Sequence, residues 1–92
     1  MTVRFRFDKA KSQRLRDRRG VGFEEAQEVF YAPYYLDQLV GEPEQWVAIG
    51  WVKGRLYTVV YEERTDTEGE YYHLVTLWKS TKAERALYED HR

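Results

Sequence analysis

Three consecutive segments limit what this chain can fold into: "QWVAIGWV" (45–52), "RLYTVVYEER" (55–64) and "EYYHLVTLWK" (70–79). Each is rich in the β-branched and aromatic residues that fit a pleated surface. Only Lys53-Gly54 separates the first two, the spacing of a tight hairpin. The polar, glycine-containing "TDTEG" (65–69) separates the second from the third. An antiparallel meander is predicted, with "YYLDQLV" (34–40) as a weaker fourth strand. Strict alternation along the last segment would place Tyr71, His73, Val75, Leu77 and Lys79 on one face and Tyr72, Leu74, Thr76 and Trp78 on the other.

The flanking segments read as a strand and helices. "VRFRF" alternates Val3, Phe5 and Phe7 with Arg4 and Arg6, the period-two pattern of a short half-buried strand. Asp8 is placed to cap a helix that runs to about Arg19 and stops at Gly20. Ala10 and Leu15 are its only apolar residues, so it belongs at the periphery with a side available to a partner. "VGFEEAQEVFYAP" predicts a second short helix: Phe23, Ala26, Val29 and Phe30 fall at helical spacing, Glu24 and Glu25 suit the positive end of its dipole, and Pro33 marks the exit. After the third strand, Thr81 and Glu84 form a capping box that opens a last helix, with Ala83, Ala86 and Leu87 as a small apolar side. The expected fold is therefore α+β: a short N-terminal strand, two helices, a three- to four-stranded antiparallel sheet and a C-terminal helix, the helices packing on one face. Residues 1–92 read as a single domain.

Charge adds a constraint that the net value of −1 hides. Residues 1–20 hold eight basic and two acidic side chains, a local balance of +6 against −7 for the remainder. Segregation of this kind creates a local field suited to a polyanion or an acidic partner, or else is met by carboxylates elsewhere in the fold. The chain has no cysteine, which removes disulfides and thiolate metal sites. It has no apolar run of the roughly 18 residues a membrane span needs. A cytoplasmic protein with no membrane association is expected. His73 and His91 lie far apart, outside any spacing that gathers metal ligands, and neither a P-loop nor a G-x-G-x-x-G motif is present, so no metal and no cofactor is expected.

The remaining candidates for chemistry are polar groups on the last strand and beside it. Metal-free RNA cleavage by 2′-OH attack needs a base, cationic donors for the charge that develops on phosphorus, and an acid for the leaving oxygen. His73 suits acid or base work; Arg64, Lys79, Lys82 and Arg85 suit phosphate oxygens; Glu62 or Glu63 is an alternative base. Trp78 and the tyrosines could stack on bases. Each also has an ordinary use: a boundary histidine, charge pairs along a helix, aromatic pairs across strands.

The order of the segments resembles the BrnT family of bacterial type II toxins. "FDKAKSQRLRDRRGVGFEEAQEVF" is similar to that family's opening pattern, W-D-x-x-K-x-x-x-N-x-x-K-H-G-V-x-F-E-E-A. "GEPEQWVAIGWVKGRLYTVVYEER" resembles its central strands, and "LVTLWKSTKAERALYE" its closing block. The resemblance implies a RelE-like fold, ribonuclease activity that halts translation, and neutralisation by a BrnA-like antitoxin with a ribbon-helix-helix domain, DNA being reached only through that antitoxin. Several positions depart from the pattern: Leu15 stands for Asn, Arg19 for His, Gln45 for Arg, Thr76 for Ser, and His73 and Trp78 for Arg. Two readings follow. In one, the chain is an endoribonuclease with Arg64 and Lys79 as phosphate ligands, His73 as acid or base, Glu63 as a competing base, and Lys82, Arg85 and Trp78 as RNA contacts. In the other, it is a module that acts by binding protein or RNA without useful catalysis.

Overall fold

The computed structural model describes residues 3–91. In chain order the elements are β1 (Arg4–Arg6), α1 (Lys9–Arg19), α2 (Phe23–Ala26) running into a 3-10 turn (Gln27–Tyr31), β2 (Tyr35–Leu39), β3 (Gln45–Val52), β4 (Arg55–Asp66), β5 (Gly69–Lys79) and α3 (Lys82–Asp90). The strands form one sheet in the order β1-β5-β4-β3-β2. Strands β2 to β5 are the predicted antiparallel meander. The sheet nevertheless has five strands and is mixed, because β1 returns to lie parallel to β5, with Phe5 beside Tyr72.

Local signals explain the element ends. Asp8 accepts a hydrogen bond from the Lys11 N–H, and Gly20 closes α1 in the left-handed region. The Thr81–Glu84 capping box opens α3 as predicted. Lys53 and Gly54 both have positive φ, at 49° and 81°. Two such residues in succession match the twist of the flanking strands, so β3 turns directly into β4.

One face of the sheet carries the main core. Leu15, Phe23 and Val29 from the helical segments and Val21 from the loop between α1 and α2 pack on Ala48, Val59, Leu74 and Leu77. Phe30 organises the aromatic end of this layer, with ring centroids 5.2 Å from Phe5, 5.2 Å from Tyr34 and 5.3 Å from Tyr61, while Tyr61 stacks on Tyr72 at 4.4 Å. Such pairs contribute about 0.5–1.5 kcal/mol each beyond area burial, and through Phe5 they fix the short β1 to the sheet.

The helices do not all share that face. Helix α3 crosses to the other side, where Tyr88 packs with Ile49 and Leu56. Its predicted apolar side is not the buried one: Ala83, Ala86 and Leu87 are all exposed, and Tyr88 supplies the contact. A tyrosine buries a large ring while its hydroxyl finds a partner, here the Trp51 indole N–H at 2.9 Å. Since α3 covers one end of this second face, the other end is left open.

Candidate active site

The open end of the sheet owes its composition to a bulge. Val60 pairs with Thr76, but Tyr61 pairs with Leu74, so β5 carries one extra residue, Val75. The bulge overturns strict alternation: Tyr71 and His73 share a face with Thr76 and Trp78, and Tyr72 and Leu74 share the core face with Leu77 and Lys79. Leu74 and Leu77 are 1% and 0% exposed and stand three residues apart. A period of two cannot bury both on one side, whereas one inserted residue can.

On the open face Glu62 stands across from His73, and Arg64 across from Tyr71. Strand β1 brings Arg4 beside Tyr71 and Arg6 beside His73. The guanidinium carbons of Arg4 and Arg6 lie 5.5 and 4.7 Å from the centre of the Tyr71 ring, within cation–π range. Arg4 and Arg6 each reach Asp66 at 2.7 Å. Glu62 is only 7% exposed. Its Oε1 accepts from Arg64 Nε at 2.9 Å and from Arg64 Nη2, and its Oε2 accepts from Gln45 Nε2 at 2.9 Å. A buried carboxylate is tolerated because both its oxygens are satisfied.

The electrostatics follow from these contacts. The hydrogen bond from Gln45, reinforced by that from Arg64, holds Glu62 below the ordinary carboxylate range despite its burial. Partial burial, then the positive charge of Arg64, pushes His73 below its ordinary value; Glu62 opposes and Lys11 adds to the effect. The imidazole is therefore neutral at neutral pH, able to take a proton, and next to a carboxylate that favours the imidazolium once formed. The side chains of Arg6 and Arg64 remain 52% and 46% exposed and present outer N–H groups to an anion.

The fold brings together only part of the predicted set. Arg64 and His73 share the open face as diagonal neighbours. Lys79 is opposite Tyr57 on the core face, six positions from His73, roughly 20 Å along a strand rising ~3.3 Å per residue. Glu63 also faces the other side, across from Tyr72, so Glu62 is the carboxylate beside His73. Trp78 shares the site's face but donates its indole N–H to both carboxylate oxygens of Glu84, at 2.9 and 3.2 Å, which ties α3 to β5. Lys82 and Arg85 are exposed on α3, away from His73. Arg4, Arg6 and Tyr71 are members that the sequence did not single out. The alternation of "VRFRF" placed the two arginines on one side, but no local signal could pair that side with His73.

The basic N-terminal segment divides in the same way. Arg4 and Arg6 meet Asp66, and Arg16 pairs with Glu24 and Glu25, while Arg14, Arg18 and Arg19 remain exposed. Among the described residues, no three His, Cys, Asp or Glu side chains group in a metal-holding arrangement. None of the described helices is long and apolar enough to cross a membrane.

Comparison with known proteins agrees with this geometry at the level of the family. No curated protein matches the sequence. The sequence model described as "Ribonuclease toxin, BrnT, of type II toxin-antitoxin system" matches residues 7–84, from the start of the β1–α1 junction to the first turn of α3. With most of the chain covered, the protein belongs to the BrnT family of ribonuclease toxins of type II toxin-antitoxin systems.

Proposed function

We propose that the protein is a metal-independent endoribonuclease that halts translation, and that it cuts at the open face around Glu62, Arg64 and His73. The observation that carries this reading is the bulge at Val75, which sets a neutral histidine among arginine donors at the end of the face that α3 leaves open. His73 removes the 2′-hydroxyl proton, and the 2′ oxygen attacks the adjacent phosphorus. The bond from phosphorus to the 5′ oxygen then breaks, the leaving oxygen takes a proton from water at the open face, and a 2′,3′-cyclic phosphate and a 5′-hydroxyl end result. Arg64 and Arg6 bear the charge that builds on the phosphoryl oxygens; one such preorganised donor is commonly worth about 2.7–4 kcal/mol. Glu62 fixes Arg64 and stabilises the imidazolium. In this scheme Lys79 and Glu63 have no part in bond cleavage. The type II family implies an antitoxin partner; we assign this role to a BrnA-like protein with a ribbon-helix-helix domain, through which alone DNA is reached, in the cytoplasm and on a RelE-like toxin fold.

A second reading is favoured by the same contacts. Arg4, Arg6 and Arg64 already meet Asp66 or Glu62, so a module that keeps the partner interface without useful catalysis also suits them. Induced expression with and without the adjacent reading frame separates the two. The enzyme predicts RNA cleavage that the neighbour's product suppresses and that Arg64→Ala or His73→Ala lowers about a hundredfold or more. Intact RNA together with retained binding of the neighbour's product would establish the module instead.

A further inference from the structure

The hairpin end of the sheet holds a second cationic surface, distinct from the face around His73. A groove of about 590 Å³ runs between the β3–β4 turn and α3, lined by Trp51, Arg55, Leu56, Lys79, Arg85 and Glu89 among others. Arg55 and Lys79 also line a neighbouring cavity of about 250 Å³, together with Arg19 and Lys53 and with no acidic residue. Arg55 and Lys79 lie on the same face as Tyr57, diagonal neighbours about 7–8 Å apart in such a ladder. Like charges at that distance repel unless an anion relieves them.

The cations in these two spaces differ from those of the active face. Arg4, Arg6, Arg16 and Arg64 all meet carboxylates, whereas Arg19, Lys53, Arg55, Lys79 and Arg85 form no ion pair among the described residues. An aromatic platform adjoins them. Trp51 is 45% exposed, and its orientation is fixed by the indole hydrogen bond to Tyr88 and by an edge-on ring contact at 6.1 Å. By register Trp51 faces the Leu56 side of the sheet and Arg55 and Lys79 the Tyr57 side, and the groove joins them around the hairpin end. A held, half-exposed indole in one groove with cations that form no ion pair among the described residues matches what single-stranded RNA requires: a surface for one base and donors for the phosphates around it. An acidic protein segment would use the charges but has no need of the ring.

We propose that this groove and the cavity beside it form a second RNA-binding site, in which Trp51 stacks on a base, Arg55, Lys79 and Arg85 hold the backbone in the groove and Lys53 holds it in the adjoining cavity, so that the substrate is anchored away from the bond that is cut. The proposal deepens the ribonuclease reading and rests on it for the identity of the ligand. It gives Lys79 and Arg85 their use as RNA contacts outside the cleavage site.

A labelled 2′-O-methyl oligoribonucleotide of about 16 nucleotides tests it, because the blocked 2′ oxygen prevents cleavage and leaves binding as the only readout. Against the full-length protein, the double variant Lys53→Gly and Arg55→Ala is expected to bind at least tenfold more weakly. Its plot of log affinity against log salt should flatten by about 1.4, for two lost phosphate contacts at ~0.7 each. Trp51→Ala is expected to lose roughly fivefold to a hundredfold, with Trp51→Phe retaining most of the affinity because a ring remains for stacking. Circular dichroism confirms that each variant is folded. Unchanged affinity and salt slope in the folded double variant would overturn the proposal. So would polyglutamate binding as tightly as the oligoribonucleotide with Trp51→Ala without effect, the mark of an acidic protein ligand. If the groove variants lose binding but the wild-type protein cuts no ordinary RNA, the site stands and the nuclease reading falls. If wild type cuts RNA while the groove variants bind as tightly as before, the nuclease reading stands and the second site falls.

Discussion

Replacing Arg64 with alanine tests the stability of the open face and its chemistry together. The change removes two of the three hydrogen bonds to Glu62 and leaves only Gln45. The two side chains differ in setting: that of Glu62 is 9% exposed, that of Arg64 46%. Breaking a fully buried pair costs about 3–5 kcal/mol, and an exposed pair is worth at most about 1 kcal/mol. A buried carboxylate losing a half-exposed partner falls between, at about 2 kcal/mol. For a domain of this size that corresponds to a fall in melting temperature of roughly 10 °C. A domain starting with even about 5 kcal/mol of stability would still be ~99% folded at 25 °C. A hundredfold loss of RNA cleavage at that temperature would therefore come from the missing donor and not from unfolding. Urea denaturation of wild type, Arg64→Ala, Glu62→Gln and the double variant gives the coupling between the two residues directly, with about 1.5 kcal/mol expected. A coupling near zero would refute the geometry, and wild-type cleavage by folded Arg64→Ala would refute the assignment of Arg64 to the phosphate.

Three further outcomes are expected. Ser12 is fully buried, and its Oγ accepts the Phe23 N–H at 2.8 Å while donating to Glu24, so Ser12→Ala orphans a buried donor and should cost about 1–3 kcal/mol in urea denaturation. The hydrogen bond from Arg4, with help from the Glu68 N–H and the charges of Arg4 and Arg6, lowers Asp66 to about 2 from an unperturbed 3.8. Its contribution to stability is thus present above pH 3.8 and lost as pH falls towards 2; Asp66→Asn should be less stable above that window and show a shallower loss through it in denaturant midpoints taken from pH 5 to 2. His73 is depressed below 6.5, by burial first and by Arg64 second, so the acid limb of the cleavage rate should lie below pH 6.5 and move upward in residual Arg64→Ala activity. The profile to use is that of kcat/KM, which reports the free protein; an acid limb above pH 6.5 there would count against His73 as the base.

What the sequence disclosed about this molecule was mostly local. Asp8 and Gly20 bounded α1, Lys53-Gly54 made the hairpin, and the Thr81–Glu84 box opened α3, because each signal acts within a few residues of chain. Features set by distant partners were out of reach. The parallel seat of β1 against β5 depends on Phe5 meeting Phe30 and Tyr72, and the passage of α3 to the second face depends on Tyr88 fitting beside Ile49. The candidate site was half legible. Arg64 and His73 were singled out as residue types suited to the chemistry and do share a face, but Lys79 was grouped with His73 only under an unbroken alternation, and Glu63, offered as an alternative to Glu62, neighbours Arg64 in β4 and so points to the other face. One signal for the break was present: Leu74 and Leu77, three apart, both ask for the core, and a period of two cannot supply it.

The seat of β1 has a consequence for when the protein becomes dangerous. Arg4 and Arg6 reach their positions only by lying beside Tyr71 and His73, 67 residues later in the chain. Pairing so remote in sequence closes a long loop and comes late in folding. A nascent or truncated polypeptide that ends before β5 lacks the strand against which its N-terminus docks, so Arg4 and Arg6 join Tyr71 and His73 only once β5 has been made.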